Sequence, residues 1–287
     1  MFRYETHLHT YEGSLCGVTP GSMYPQYYKD LGYDGIFITD HFFNGNTRIP
    51  KYDSWEQRVN EFCLGYEHAK EAGDAIGFPV YFGWEANFEG DEFLIYGLDK
   101  EWLLNHPDIL SYSRSMQYDI IHNDGGLVVQ AHPFRERGYL DSIHLNPENC
   151  DAMEGYNSFN EDRHNHNAEI YCTKHNIFMT SGSDLHKIGS LAPDRHYGMG
   201  FEHSIKSAAD YVNAILKRDG VMLVKDSSRS LPPDIHTELT TEPWTDISEP
   251  KKPVSRTLGK LALLLSLCSV MNKCKHIRAC VSPDNRA

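Results

Sequence analysis

Two imidazoles separated by one residue, His7-Leu8-His9, follow the short strand-like run Phe2 to Thr6. Strand alternation sends residues i and i+2 to the same side, so both rings converge on one point, a geometry suited to a metal ion. Alone the pair is weak, because histidines at a strand end are commonly polar surface residues. Repetition changes that. Gly35 to Thr39 precedes Asp40 and His41, Val80 to Trp84 precedes Glu85, Leu127 to Ala131 precedes His132, and Phe178 to Ser183 precedes Asp184 and His186. Asp184-Leu185-His186 repeats the alternation of the first pair. Together His7, His9, His41, Glu85, His132, Asp184 and His186 supply five imidazoles and two carboxylates. One tetrahedral zinc takes fewer, so two or three ions bridged by Glu85 and Asp184 fit better.

For these residues to meet, their strands must end at one face, and a barrel of parallel strands does this. The hydrophobic periodicity predicts helices over 22–32, 55–72 with Gly73 as stop, 111–124, 160–174 and 207–217. It predicts further strands over 93–98, 152–157 and 221–224. Strand-then-helix units of this kind imply a parallel α/β sheet with right-handed crossovers. Residues 1–225 read as one barrel domain, 226–257 as a Ser-, Thr- and Pro-rich linker, and 258–287 as a basic tail with a short apolar helix. The apolar run of that tail, 258–271, is too short to span a bilayer.

The formal net charge of −13 is unevenly spread: eight Lys or Arg against one acid from Lys251 onward leave −20 on residues 1–250. So acidic a body repels a long polyanion, which weighs against a nuclease tracking along DNA and less against a small phosphorylated substrate. The N-terminus lacks the apolar run of a secretory signal. Seven cysteines with no Cys-x-x-Cys pair indicate free thiols in a cytoplasmic, reducing setting. Neither a Gly-rich phosphate loop nor a Ser-His-Asp order is present, so ATP-dependent and serine-hydrolase chemistries have no support.

Around the predicted ligands stand weaker candidates. Glu12, in the loop after His9, is a further ligand candidate, whereas Cys16 in the same loop reads as a small buried packing residue. Glu92 stands at the entrance of the 93–98 strand. His164 and His166 form a second His-x-His, but on a helix they point to different faces and read as exposed. Arg135, three residues after His132, is a candidate cationic group beside the ligands, and Arg195 and His196 are weaker ones.

As an ordered set, His7-Leu8-His9-Thr10, Thr39-Asp40-His41, Glu85, Ala131-His132-Pro133 and Gly182-Ser183-Asp184-Leu185-His186 resemble the motifs of the PHP superfamily, named for polymerase and histidinol phosphatase. That resemblance implies a distorted (βα)7 barrel with a trinuclear site of zinc, manganese or iron at the C-terminal ends of its strands. It implies one ion on His7, His9, Glu85 and Asp184, a second on Glu85 and His132, and a third on His41 and His186. Two positions depart from the family pattern. Glu92 stands where members often have histidine, and Glu12 where they have another loop ligand; either acid would be a hard ligand and tilt preference toward manganese or iron.

The implied activity is phosphoester hydrolysis by metal-activated hydroxide, on a small phosphomonoester such as histidinol phosphate or a nucleotide. His41, His186 or a metal-bound water would be a proton donor to the leaving oxygen, beside Arg135 on the phosphate. A phosphodiesterase or exonuclease on short oligonucleotides is the alternative within the enzyme class. A non-catalytic, metal-stabilised module is the alternative outside it.

Overall fold

A computed structural model describes residues 1–140 and 142–225, together with the backbone of 244–246. In chain order its elements are β1 Phe2–Glu5, α1 Tyr24–Asp30, β2 Gly35–Ile38, α2 Trp55–Phe62, α3 Leu64–Ile76, β3 Val80–Phe88, β4 Asp91–Tyr96, α4 Lys100–Asn105 and α5 Arg114–Asn123. There follow β5 Leu127–Gln130, β6 Ile143–Leu145, β7 Ala152–Asn157, α6 Asp162–His175, β8 Phe178–Gly182, β9 Gly198–Phe201, α7 Ala208–Lys217, β10 Val221–Val224 and β11 Trp244–Asp246. The strand β11 pairs in parallel with β6. Apart from β11, the expected linker and basic tail lie outside the described residues.

Nine strands form one sheet in the order β10-β9-β1-β2-β3-β4-β5-β7-β8. It curls until its ends meet: the backbone of Leu8, just past β1, bridges in parallel to Leu185, just past β8, and Thr6 Oγ1 donates to the Ser181 carbonyl at 2.7 Å. Seven strands from β1 to β8, with β6 outside, thereby make a nearly closed barrel, and β9 and β10 extend from its seam. The sheet is mixed where an all-parallel one was expected. β4 runs antiparallel to both neighbours because Glu89 and Gly90 form a two-residue hairpin, both at positive φ (53° and 101°), and so short a loop cannot make a crossover. β9 pairs antiparallel with β1 and with β10.

Local chemistry sets the helix ends. Ser54 and Gln57 close a capping box on α2. The single helix expected over 55–72 is two, α2 and α3, and the stop is Gly77 at φ 65°, not Gly73. Gly73 sits inside α3 because a side chain there would strike the Phe78 carbonyl. Both faces of β2 are buried, as a strand between two layers requires. Ile36 and Ile38 pack outward with Tyr24, Tyr28 and Ala69. Phe37 packs with Tyr4, Leu94, Tyr96 and Val129 in a cluster that Tyr211 of α7 completes, the Phe37 and Tyr211 rings 4.7 Å apart. This aromatic filling occupies the barrel below the site.

Candidate metal centre

Every expected strand end delivers its side chain to one place. His7 and His9 come from the segment after β1, His41 from that after β2, Glu85 from β3, His132 from after β5, and Asp184 and His186 from after β8. Glu92 joins them from the start of β4, because an antiparallel strand brings its N-terminal end to the face where its neighbours bring their C-terminal ends. His9 Nε2 stands 3.1 Å from Asp184 Oδ1 and 3.4 Å from Glu85 Oε2, and His7 Nε2 is 3.4 Å from both Glu85 and Asp184. His132 Nε2 lies 3.1 Å from Glu85 Oε1, and His41 Nδ1 lies 2.8 Å from Glu85 Oε2. Glu85 is therefore the hub. Four overlapping groups could each hold an ion: His7-His9-Asp184, His7-Glu85-His132, His41-Glu85-Glu92 and His9-His41-His186.

The donor set fits divalent cations. Glu85 Oε2 and His41 Nδ1 are buried without a hydrogen-bond partner despite their proximity, an arrangement that is costly unless a cation lies between such atoms. Outer partners fix the imidazoles so that one nitrogen faces inward. His7 Nδ1 meets Glu154 Oε1 at 2.9 Å, His9 Nδ1 meets Ser14 Oγ at 3.2 Å, and His186 Nδ1 donates to the Asp184 carbonyl at 2.7 Å. Backbone strain concentrates here as well, His132 at φ 29° and Asp184 at φ 59°.

The charges respond to this crowding. Burial disfavours a charged His7, but Glu154, Asp184 and Glu85 more than offset it and hold its pKa well above the ordinary value. Burial and the neighbouring His41 and His186 bring His9 down to about 3. Burial raises Glu92 to about 7, with Glu85 adding repulsion. Asp184 stays well below the usual carboxylate range: burial opposes its charge, while His7 and Arg135 favour it.

Several expected roles fall differently. Arg135 lines the cleft with its guanidinium engaged, donating to Asp184 Oδ2 at 2.6 Å, Asn157 Oδ1 at 2.8 Å and Asn160 Oδ1 at 2.8 Å. Glu12 is turned away from the cluster, accepting from the Gly21 N–H and pairing with His68 Nδ1 at 2.9 Å. Cys16 is not a packing residue. Half-buried, it feels burial, which raises its thiol, but the influence of His186 and His41 prevails and lowers it to about 6. His164 is buried, not exposed, because α6 turns that face toward the barrel. His196 sits away from the cluster between the Tyr27 and Tyr28 hydroxyls, and Arg195 donates to the Ser158 carbonyl.

Sequence reasoning passed over the carboxylates behind the site. Glu154 of β7 holds His7 through one oxygen, and through the other accepts from the His132 N–H at 3.0 Å and from Asn157. Asp40 ties down the loop after His9, accepting from Thr10 N, Thr10 Oγ1 and Ser14 Oγ at 2.6–2.7 Å. Glu5 accepts from the His7 and Ser183 N–H groups, both at 2.9 Å, and so ties β1 to the end of β8. An acid inside an apolar strand, as in Met153-Glu154-Gly155, is the signal that was available.

A cleft of about 420 Å³ opens over the cluster, lined by His41, Glu85, Glu92, His132, Asp184 and His186 and rimmed by Asn44, Asn46, Asn87, Arg137 and Tyr139. Among solved structures, the chain is similar to a two-domain protein from Bacteroides vulgatus containing a predicted PHP-like metal-dependent phosphoesterase. The TM-score is 0.58 at 16% identity, over 77% of this chain and 64% of that one. The chain has the PHP-like fold. It is also similar to PsfC from Pseudomonas syringae, with a TM-score of 0.51 at 16% identity over 79% of this chain and 93% of that one. No family model matches the sequence, and no curated protein does. The PHP-like fold thus rests on the strand order and the barrel, and any chemistry must be argued from the site. Among the described residues, no helix is long and apolar enough to cross a membrane.

Proposed function

We propose that this chain is a metal-dependent phosphoesterase that hydrolyses a small phosphomonoester, a nucleotide or a histidinol phosphate-like compound, in the cytoplasm. One observation carries the reading: buried, pre-oriented imidazole and carboxylate donors converge beneath a cleft of small-ligand size. His7, His9 and Asp184 would hold one divalent ion, Glu85 and His132 a second with His7 beside them, and His41 and His186 a third; zinc, manganese and iron all suit such donors. Bound there, the ions would lower the pKa of water and neutralise the oxygens of an anionic ester.

The chain's own residues supply the rest. Glu85 and Asp184 set the spacing of the ion positions. Arg135 acts through Asp184, as a positioning residue, by fixing the carboxylate that faces His7 and His9. His186 commits its Nδ1–H to a carbonyl, which leaves Nε2 for an ion and makes it a poor proton donor. Asn44, Asn46, Asn87 and Arg137 around the opening present polar and cationic groups to an anionic substrate. The cleft's volume and the acidic body both favour a small ester over an oligonucleotide. The test is phosphate release from a panel of small phosphomonoesters by zinc- or manganese-loaded protein. Turnover on a member of the panel that disappears in His9→Ala supports the reading. Silence from fully metallated protein overturns it and favours a diesterase or a structural module.

A further inference from the structure

The imidazoles of the cluster differ in what stands behind them. His7 Nδ1 meets the Glu154 carboxylate at 2.9 Å, and His186 Nδ1 donates to the Asp184 carbonyl at 2.7 Å. His9 Nδ1 meets Ser14 Oγ at 3.2 Å; the Ser14 hydroxyl gives its own proton to Asp40 Oδ1 at 2.6 Å, so it accepts from His9. Each of these rings keeps a proton on the outer nitrogen and turns a lone pair toward the site. His132 is the exception. Its Nδ1 faces Arg137 Nη2 at 3.1 Å, and a guanidinium offers only donors. His132 Nδ1 is therefore the acceptor, and the proton of the neutral ring sits on Nε2, 3.1 Å from Glu85 Oε1 and 3.6 Å from Glu92 Oε2. That is the nitrogen an ion shared with Glu85 needs.

Arg137 is engaged on three sides. Besides His132 it donates to Glu92 Oε2, and its Nη1 donates to the Gly90 carbonyl at 3.0 Å. Glu92 belongs to the group His41-Glu85-Glu92, with its other oxygen 3.7 Å from His41 Nδ1. One organic cation thus holds an imidazole and a carboxylate from two different candidate ion groups. Its side chain is 13% exposed and lines the cleft beside Tyr139. The residues flanking it, Glu136 and Gly138, are exposed, so the side chain can leave its corner without opening the packed barrel.

We propose that Arg137 is a displaceable countercharge, which occupies the corner between Glu92 and His132 until a divalent ion takes it and then turns into the cleft to receive the anionic group of the substrate. Two cations repel each other in so buried a corner, and the two states need opposite tautomers of one ring. On exchange, His132 releases its Nε2 proton to solvent and takes one up at Nδ1, so the ring stays neutral. The position served by His132 and Glu92 is consequently the weakest and most exchangeable of the centre, and its filling is linked to anion binding. This rests on the reading of the cluster as a metal centre.

Zinc affinity is measured by chelator competition on stripped full-length protein and on Arg137→Met, both with Cys268, Cys274 and Cys280 replaced by serine so that those thiols bind no zinc. Loss of an ordinary outer partner weakens metal binding about 10- to 100-fold, whereas loss of a competitor strengthens it. The weakest zinc step is expected to tighten about tenfold or more in Arg137→Met, the order of one charge-assisted hydrogen bond no longer given up, with circular dichroism unchanged. Inorganic phosphate is expected to bind the zinc-loaded variant about tenfold more weakly, for the same reason. A second measurement needs no variant at Arg137: nitrogen-15 NMR of histidine-labelled protein, with the His132 signals identified by their absence from His132→Gln, reads the tautomer. His132 is expected to carry its proton on Nε2 in stripped protein and on Nδ1 with zinc. A weakest step that is unchanged or weaker in Arg137→Met, equal phosphate affinity, or an Nδ1 proton on His132 in stripped protein overturns the proposal. Zinc bound alike by both proteins defeats the role of Arg137 and spares the metal centre; zinc bound by neither defeats both.

Discussion

Glu154 touches no cleft surface, yet it decides which nitrogen of His7 is available. One oxygen takes the His7 Nδ1 proton, and the other accepts from the His132 backbone N–H and Asn157 Nδ2. Glu154→Gln keeps the shape and removes one acceptor, so an amide NH2 must face either His7 Nδ1 or the His132 N–H. The first choice reverses the His7 tautomer and puts a proton on the nitrogen a metal needs; the second sets donor against donor. Loss of such an outer partner typically weakens metal binding about 10- to 100-fold. Chelator competition on the variant checks this, and an unchanged zinc affinity would remove Glu154 from the account. His196 makes a separable prediction. Burial lowers its pKa from 6.5 to about 4, so between those values the unfolded chain binds the proton that the folded chain refuses. Its contribution is therefore constant above 6.5 and lost as pH falls toward 4. His196→Gln is expected to flatten the drop in urea midpoint between neutral pH and about pH 5; an equally steep drop would mean another group controls it.

At the scale of elements, α3 is pressed against the loop that carries His9. Gly65, in its first turn, faces Thr10 and Asp40, and a Cβ there would lie 2.1 Å from Thr10 Oγ1 and 2.9 Å from Asp40 Oδ2. Those atoms belong to the buried bonds that order the loop and cannot swing away. Helix propensity favours Ala over Gly by about 1 kcal/mol. Overpacking costs about 1–3 kcal/mol and prevails where nothing gives. Gly65→Ala is thus expected to lower the urea midpoint, and a gain in stability would show that the loop yields. The same contact explains what the sequence made legible. The strand ends bearing His7, His9, His41, Glu85, His132, Asp184 and His186 were readable because alternation is a local rule, and the structure gathers them as expected. The hairpin at Glu89-Gly90 was visible as a turn, but its consequence was not: only the reversal of β4 carries Glu92 into the site. Cys16 and Glu12 could not be ranked, because which loop side chain faces inward is fixed by Asp40, Ser14 and Gly65, far apart in the chain. The hydrogen-bond roles of Glu154 and Arg135 were not legible because their partners belong to other strands.

Across the whole molecule, the centre gathers more buried charge than any other part of the described chain. Glu85, Glu92, Asp184 and Glu154 are all at least nine-tenths buried around it, and only Arg135, Arg137 and the imidazoles answer them. Burial already pushes Glu92 up to about 7, which is how a site short of cations relieves itself. Divalent ions would supply the missing charge and bind the folded chain alone, because only the closed barrel brings the end of β1 to the end of β8. Linkage then ties metal to stability: a free ion at 100 times its dissociation constant adds about 2.7 kcal/mol. For a domain of this size that corresponds to a melting temperature higher by roughly 5–10 °C. Stripping with a chelator should lower the melting temperature by that order, and zinc should restore it. His9→Ala, which removes a donor shared by two of the groups, should reduce the restoration. A melting temperature indifferent to chelator and to zinc would mean that the donors are satisfied among themselves, and the metal centre would fail as an account of why they are gathered. If zinc restores stability while the loaded protein hydrolyses no ester, the same barrel is a metal-stabilised module, and its cleft is a binding surface.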